Sequence, residues 1–354
     1  MLYHLLVPFA DSYGALNVFR YITFRTAAAT LTALFLALVV GPALIRRLAA
    51  LRVGQPIREI GPDHQNKAGT PTMGGLLILL SLGVSVLLWA DLSNRATWTV
   101  LGLTFGYGVL GFVDDYQKVI HQNHRGISAR TKLLWQWLLA FGVAALIFTD
   151  PSFDGELQVP FFKDFTPHIG WLYVPLAAFV IVAMSNGVNL TDGLAIGPVM
   201  IASAVFLILA YAAGHAEIAE YLAIKSVPGA GQLAIFCGAL VGGGLGFLWF
   251  NSSPAQLFMG DVGALALGGA LGAIAVLIRQ EILLGVVGGI FALETLSVAI
   301  QVCWFKLTGR RVFLMAPIHH HFEKLGWAEQ KIVVRFWIVS IILALVALSS
   351  LKLR

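Results

Sequence analysis

Asp114 and Asp115 stand side by side in Gly111-Phe112-Val113-Asp114-Asp115-Tyr116-Gln117-Lys118, directly after a run from Ala96 to Val113 with no charged residue. Two adjacent carboxylates are expensive to leave in hydrocarbon, so they belong at the boundary with water. Neighbouring helix residues point about 100° apart. One carboxylate then faces a buried site while the other takes a partner, and Lys118, three residues after Asp115, is within reach. A third carboxylate, Asp261, lies in Phe258-Met259-Gly260-Asp261-Val262-Gly263. A helix N-terminus there stabilises its charge, small neighbours let a ligand come close, and such a carboxylate suits a hard cation.

Five further stretches carry polar side chains next to apolar runs. Asn66–Gly75 combines Gly and Pro with Thr70 and Thr72, whose hydroxyls cap a helix start that attracts anions. Lys67 adds a point charge suited to phosphate. Gly126–Lys132 opens a helix in the same way, and Arg125, Arg130 and Lys132 draw anionic headgroups at about 1 kcal/mol each. Asn186–Gly193 holds Asn186, Asn189, Thr191 and Asp192 with no cation nearby, a set suited to hydroxyls, amides or a hydrated metal. Asn251–Gln256 precedes the Asp261 stretch. Pro317–Glu323 contains His319, His320 and His321, but consecutive imidazoles diverge and the two-His spacing of a metalloprotease is absent, so phosphate and sugar recognition fits better than zinc.

The elements that carry these stretches are membrane spans. Of 354 residues, 58% are hydrophobic and 12% charged, with a mean hydropathy of +0.83. No soluble domain of this size buries so much apolar surface, so the chain is an all-α integral membrane protein, one polytopic transmembrane domain over 1–354. Runs of roughly 20 apolar residues fall at Ile22–Ile45, Thr72–Ala90, Ala96–Val113, Leu133–Phe148, Trp171–Met184, Gly197–Ala213, Gln232–Phe250, Val262–Ile278, Ile282–Phe305 and Ile332–Leu351. Met1–Tyr21 lacks a cationic stretch before an apolar core and reads as an interfacial segment, not a cleaved signal. Cys237 and Cys303 lie in apolar runs and suggest neither a disulfide nor a metal knuckle. Asp150–Gly170, with alternating Leu157-Gln158-Val159, is compatible with a short external β-hairpin.

About ten spans put both termini on one side. The connections after the first, third and ninth spans hold Arg46, Arg47, Arg52, Arg58, Lys67, Lys118, Arg125, Arg130, Lys132, Lys306, Arg310, Arg311, Lys324 and Lys331. The opposite connections hold Arg95, Lys163, Lys225 and Arg279 beside several carboxylates. The first set is therefore cytoplasmic and both termini are periplasmic. The net charge of +5 is this loop bias and not a nucleic-acid surface. All the polar stretches above then lie on the cytoplasmic face, as one shared site requires.

Asn66–Gly75, Gly111–Lys118 with Gly126–Lys132, Ser185–Gly193, Phe258–Gly263 and Ala316–Glu323 together closely resemble the polyprenyl-phosphate N-acetylhexosamine-1-phosphate transferase family, across essentially the whole chain. The three histidines before Phe322-Glu323 resemble the branch that handles muramoyl-pentapeptide rather than other sugar nucleotides. The resemblance implies transfer of phospho-MurNAc-pentapeptide from UDP-MurNAc-pentapeptide to undecaprenyl phosphate, giving lipid I and UMP. It implies a Mg²⁺ requirement and a place in peptidoglycan biosynthesis at the bacterial cytoplasmic (inner) membrane. It implies Asp114, Asp115, Asp261 and His319 as catalytic residues, with Asp261 also a metal ligand. Lys67, Thr72, Lys132, Asn189, Asp192, Asn251, Phe258, His320 and His321 would bind substrate, Phe258 stacking on uracil. A homodimer is left open. Family members commonly continue Asn-Leu-Thr-Asp-Gly-Leu with a second Asp-Gly, whereas here Leu194 runs into Ala195-Ile196-Gly197-Pro198, and Ala264 stands where Ser is frequent.

Two other classes are weighed against this one. A transporter is suggested by Gly242-Gly243-Gly244 and Gly285–Gly289, yet transporters place ionisable residues near the midplane and here Glu294 is the main one. A scaffold would not need five polar stretches on one face. Cysteines placed at Gln122 and Leu325 are expected to be shielded from impermeant thiol reagents in intact cells; labelling from outside would reverse the topology.

Overall fold

The computed structural model describes residues 1–51, 69–120, 126–151, 153–162, 165–191 and 193–351. Its long helices are α1 (Ile22–Ala50), α2 (Gly75–Trp89), α3 (Arg95–Ile120), α4 (Ala129–Phe148), α5 (Tyr173–Leu190), α6 (Ile196–Ala213), α7 (Gln232–Asn251), α8 (Gly260–Leu277), α9 (Gly289–Thr308) and α10 (Glu329–Ser349). Among the described residues nine of these are long and apolar enough to cross a bilayer, and α2, with 15 residues, is shorter. The all-α membrane architecture follows, since lipid leaves backbone polar groups no partner but the helix itself.

Three expectations are corrected in detail. The second span starts at Gly75 rather than Thr72, because the Gly74 and Gly75 amides donate to the Phe258 and Met259 carbonyls (2.7 and 2.8 Å) and Phe258 donates to Pro71 (2.9 Å). The ninth run is not continuous: a short helix, Glu281–Val287, ends at Gly288 and α9 begins at Gly289. A Cβ at Gly288 would meet Met184 Cε at 3.1 Å, so the break lies where α5 crosses closely. The external hairpin reduces to one antiparallel bridge, Glu156 with His168, flanked by the Leu157 amide on the Pro167 carbonyl (3.0 Å). Pro160 and Pro167 cannot donate to a ladder, which limits pairing. Beyond it, Lys225 pairs with Asp154 and, at 3.3 Å, Glu156. Burial pushes the Asp154 carboxyl up, but the Lys225 ammonium and the Glu156 amide together outweigh it and leave the group below the ordinary carboxylate range.

Burial sorts the helices. In α8, 83% of the most apolar stretch is inside the protein, against 22% for both α1 and α9. So α8 is the axis and the other two face lipid. The Gly242-Gly243-Gly244 run is packing surface on α7. A Cβ at each would strike a different helix: the Thr30 carbonyl of α1 at 2.0 Å, Ser81 Oγ of α2 at 2.9 Å, and Met200 Cγ of α6 at 2.8 Å. Gly238, Gly242 and Gly246 recur every fourth residue against α1, the small-residue spacing by which membrane helices approach backbone to backbone. This accounts for Gly242-Gly243-Gly244 without a transporter.

The connections at one end of the bundle converge. The strand-like Pro71–Gly74 segment binds the loop before α8, Gln330 at the start of α10 donates to Ser253 (3.0 Å), and Gly193 lies close to Glu329. At the other end, buried Arg25 donates to the Trp89 carbonyl (3.2 Å) and to Gln232 (3.0 Å).

Gly242→Leu drives a side chain into the Thr30 backbone and is expected to destabilise the fold by at least about 1–3 kcal/mol. Gly102, on α3 with nothing within 4 Å of a built Cβ, should gain roughly 0.5–1 kcal/mol as Ala. Thermal melts of both variants in detergent check the opposite signs.

Candidate active site

Asp114 and Asp115 lie on the last turns of α3, Lys132 on the first turn of α4 and Asp261 on the first turn of α8. Backbone chemistry sets each in place. Ser128 caps α4, its Oγ accepting from the Thr131 amide at 3.2 Å, which fixes Lys132 one residue later. Gly260 turns into α8 with φ +70, a conformation open mainly to glycine. A Cβ there would sit 2.5 Å from Asp115 Oδ2 and 2.9 Å from Thr72 Oγ1. At Gly111 a Cβ would strike the Asp261 carbonyl at 2.3 Å, and at Gly75 the Gly263 amide nitrogen at 2.1 Å. Glycines thus let α2, α3 and α8 close on one point.

At that point Asp114, Asp115 and Asp261 each offer an oxygen within 4.8 Å of the others. Lys118 Nζ lies 2.6 Å from Asp114 Oδ2, 3.6 Å from Asp115 Oδ1 and 3.1 Å from Asp261 Oδ2. Lys132 Nζ lies 3.1 Å from Asp114 Oδ2 and 2.7 Å from Asp261 Oδ2. Two corrections follow. Lys118 pairs with Asp114 more closely than with Asp115, because the i, i+4 spacing brings side chains nearer than i, i+3 does here. And both carboxylates, not one, face the buried cluster, Asp114 being 1% and Asp115 4% exposed. Each also takes a backbone partner. The Ile127 amide donates to Asp114 Oδ1 (2.8 Å), and the Val262 amide at the start of α8 donates to Asp115 Oδ2 (3.2 Å). Asp115 therefore caps α8 from the neighbouring helix, supplying one of the partners its first-turn amides lack.

The donors suit a hard divalent cation. All are oxygens, the carboxylates come from two helix ends, the last turns of α3 and the first turn of α8, and buried Thr72 Oγ1 beside them has no hydrogen-bond partner among the described residues. Asp114, Asp115, Asp261 and Thr72 are the residues able to hold such an ion.

The remaining candidates are arranged around this cluster. Asn251 Nδ2 donates to the Leu257 carbonyl (2.9 Å), shaping the loop that leads to Phe258 and Asp261. Asn189 is half-buried on the last turn of α5. His319, 2% exposed, sets Nδ1 3.1 Å from Glu294 of α9. His320 Nδ1 lies 2.8 Å from Glu323, and His321 Nδ1 accepts from the Leu314 amide (3.1 Å). The three imidazoles go to three different partners, as their divergence requires. No hydrogen bond or ion pair joins them to the carboxylates among the described residues. Lys67 and Asp192 lie outside the described residues. Lys118 was given only a secondary part by sequence, although its i, i+4 spacing from Asp114 marks it; Glu294 was visible as a lone acid in an apolar run.

The glycosyl transferase family 4 model matches residues 97–279, which includes all three carboxylates. The phospho-N-acetylmuramoyl-pentapeptide-transferase signature 1 matches residues 67–79. Proteins named phospho-N-acetylmuramoyl-pentapeptide-transferase are similar over the full length of both chains: 58% identical in Citrifermentans bemidjiense, 57% in Pelobacter propionicus and 55% in Syntrophus aciditrophicus.

If the cluster holds a divalent cation through Asp261, Asp261→Asn should weaken Mn²⁺ binding by more than the roughly 10–100-fold that loss of an outer-sphere partner costs. Titration followed by electron paramagnetic resonance measures it; unchanged affinity removes Asp261 from the ion's shell.

Proposed function

The chain belongs to the phospho-N-acetylmuramoyl-pentapeptide-transferases of glycosyl transferase family 4, and we propose on that footing that it transfers phospho-MurNAc-pentapeptide from UDP-MurNAc-pentapeptide to undecaprenyl phosphate. The products are lipid I and UMP, and the setting is peptidoglycan biosynthesis at the bacterial cytoplasmic membrane, with the site on the cytoplasmic face. The observation that carries this reading is the knot of three carboxylates and two lysines at the ends of α3, α4 and α8. A lipid phosphate reaches only a site at the membrane edge, and a sugar nucleotide only one open to water. A cluster at the ends of membrane helices meets both conditions. The cation excess of the connections on that side supports the orientation.

Both substrates are anionic at the reacting centre, so charge must be neutralised before an oxygen approaches phosphorus. Lys132 and Lys118 supply positive charge from the protein. Mg²⁺, the cation this reading assigns to the carboxylates, supplies further neutralisation of phosphate oxygens when bound. In the transfer, an oxygen of undecaprenyl phosphate attacks the β-phosphorus of the sugar nucleotide. The bond from that phosphorus to the bridging oxygen breaks, and UMP leaves. The second pKa of a phosphate is about 6, so the lipid phosphate is largely dianionic at neutral pH and needs little help from a base.

The environment of Asp114 favours this direct attack over a covalent intermediate. Its Oδ1 accepts from the Ile127 amide and its Oδ2 lies between two ammonium groups at 2.6 and 3.1 Å. A carboxylate engaged on both oxygens is a poor nucleophile. In this reading Asp114 orients the lysines that receive the lipid phosphate, Asp115 holds α8 in place, and proximity at the membrane edge supplies much of the rate. His319 and Glu294, with His320 and His321, take the sugar and phosphate side of the nucleotide, Asn189 and Asn251 surround it, and Phe258 stacks on uracil.

Purified protein is expected to release UMP only when Mg²⁺ and undecaprenyl phosphate are both present, and Asp261→Asn should cost orders of magnitude in turnover. Incubation with UDP-MurNAc-pentapeptide and Mg²⁺ alone separates the mechanisms. A burst of UMP stoichiometric with enzyme, with a phosphosugar adduct on Asp114 or Asp115, would establish a two-step route instead.

A further inference from the structure

One helical turn inside the bundle from the carboxylates lies a second polar layer that the reaction above does not use. Gln136 on α4, fully buried, donates from Nε2 to Ser185 Oγ of α5 (3.3 Å) and accepts at Oε1 from Asn186 Nδ2 (2.9 Å). Ser185 Oγ donates onward to the Leu265 carbonyl of α8 (3.0 Å), and Tyr107 Oη of α3 donates to the Gln136 carbonyl (2.7 Å). The layer therefore ties together α3, α4, α5 and α8.

Its register against the cluster is regular. Gln136 is four residues after Lys132, Leu265 four after Asp261, Ser185 four before Asn189, and Tyr107 seven before Asp114. Four residues is one turn on the same helix face and seven is two, so Gln136, Leu265 and Ser185 sit one turn beneath Lys132, Asp261 and Asn189, and Tyr107 two turns beneath Asp114. Glycines bring the helices close enough for it. A Cβ at Gly268 would meet the Met184 carbonyl at 2.6 Å, and one at Gly269 would meet the Tyr107 ring at 2.5 Å.

We infer that Gln136 is a positioning residue: through Ser185 and Asn186, and with Tyr107 on its own carbonyl, it fixes the height and rotation of α4 against α8, so that Lys132 meets Asp261 and Asp114. The inference rests on the reading of the cluster as the reaction centre. Apolar side chains would fill the same space, but they would leave α4 free to slide along α8, because lipid gives helices little hydrophobic preference for one register. Interhelical hydrogen bonds are individually weak in membranes, so their loss leaves the fold standing, while a displacement of about 1 Å at a reacting centre costs on the order of 100-fold in rate.

The test measures UMP release and melting temperature in detergent for wild type, Gln136→Leu, Gln136→Met and Ser185→Ala, each alone and combined with Lys132→Ala. The Gln136 variants should lose roughly 10- to 100-fold in kcat, with the KM for the sugar nucleotide and the melting temperature little changed. In the Lys132→Ala background Gln136→Leu should cost less than about twofold, because a residue acting through Lys132 has nothing left to position. Ser185→Ala should show the same pattern on a smaller scale. Wild-type kcat in the folded Gln136 variants overturns the inference, as do losses that multiply independently with that of Lys132→Ala. Should both Gln136 variants fail to fold, Ser185→Ala decides by the same criteria. A wild-type protein that releases no UMP sinks the functional reading itself, whereas wild-type release with indifferent variants sinks the positioning role alone.

Discussion

Three carboxylates held within 4.8 Å of one another repel, and everything at this end of the bundle depends on what offsets that repulsion. At an effective dielectric of about 20, two unit charges 4 Å apart interact by about 4 kcal/mol. Three like pairs on that scale would drive the ends of α3 and α8 apart. Lys118 and Lys132 make five contacts with the same carboxylates, from 2.6 to 3.6 Å. The backbone amides of Ile127 and Val262 add two more stabilising donors. Attraction therefore exceeds repulsion while the lysines stay in place. The same oxygen donors also suit a cation.

The same balance accounts for the glycines. Charged groups can share partners only if their backbones come close, and Gly75, Gly111, Gly260 and Gly263 are the positions where α2, α3 and α8 do so. Any side chain at Gly260 would displace Asp115 or Thr72. Elsewhere glycine has the plainer use of letting buried helices touch: Gly242, Gly243 and Gly244 pack α7 against three neighbours at once. Polar residues inside the bundle obey a related rule. Arg25, Gln136, Ser185 and Glu294 are buried, and each has a named partner because an unpaired polar group in an apolar interior is costly.

The break between Glu281–Val287 and α9, and the lipid-facing character of α9, set the His319 group apart from the carboxylates. Glu294 reaches from α9 to His319, so the position of the histidines follows that helix rather than α3 or α8. The carboxylate knot around the buried α8 and the histidine turn beside α9, a helix with only 22% of its most apolar stretch buried, are thus two separate units.

The amino-acid sequence by itself determined the class of the molecule and singled out the carboxylates that the fold brings together. Apolar runs near bilayer length leave the backbone no choice but helix, and charged residues concentrated in the connections, Arg25 and Glu294 being exceptions, place the polar stretches at helix ends. Asp114, Asp115, Asp261 and Lys132 were legible there, because ionisable groups beside hydrocarbon are rare and each needs a reason. Tertiary structure alone decided who pairs with whom. Lys118 turned to Asp114, Asp115 became the cap of α8, and Asn251 closed its own loop, since these choices depend on distances between helices far apart in the chain. The Gln136 layer escaped notice for the same reason: one neutral amide in an apolar helix gives no local signal. The short α2, the break at Gly288 and the single bridge in place of a hairpin were likewise settled by neighbouring backbones, whose competition for hydrogen bonds and space no local pattern encodes.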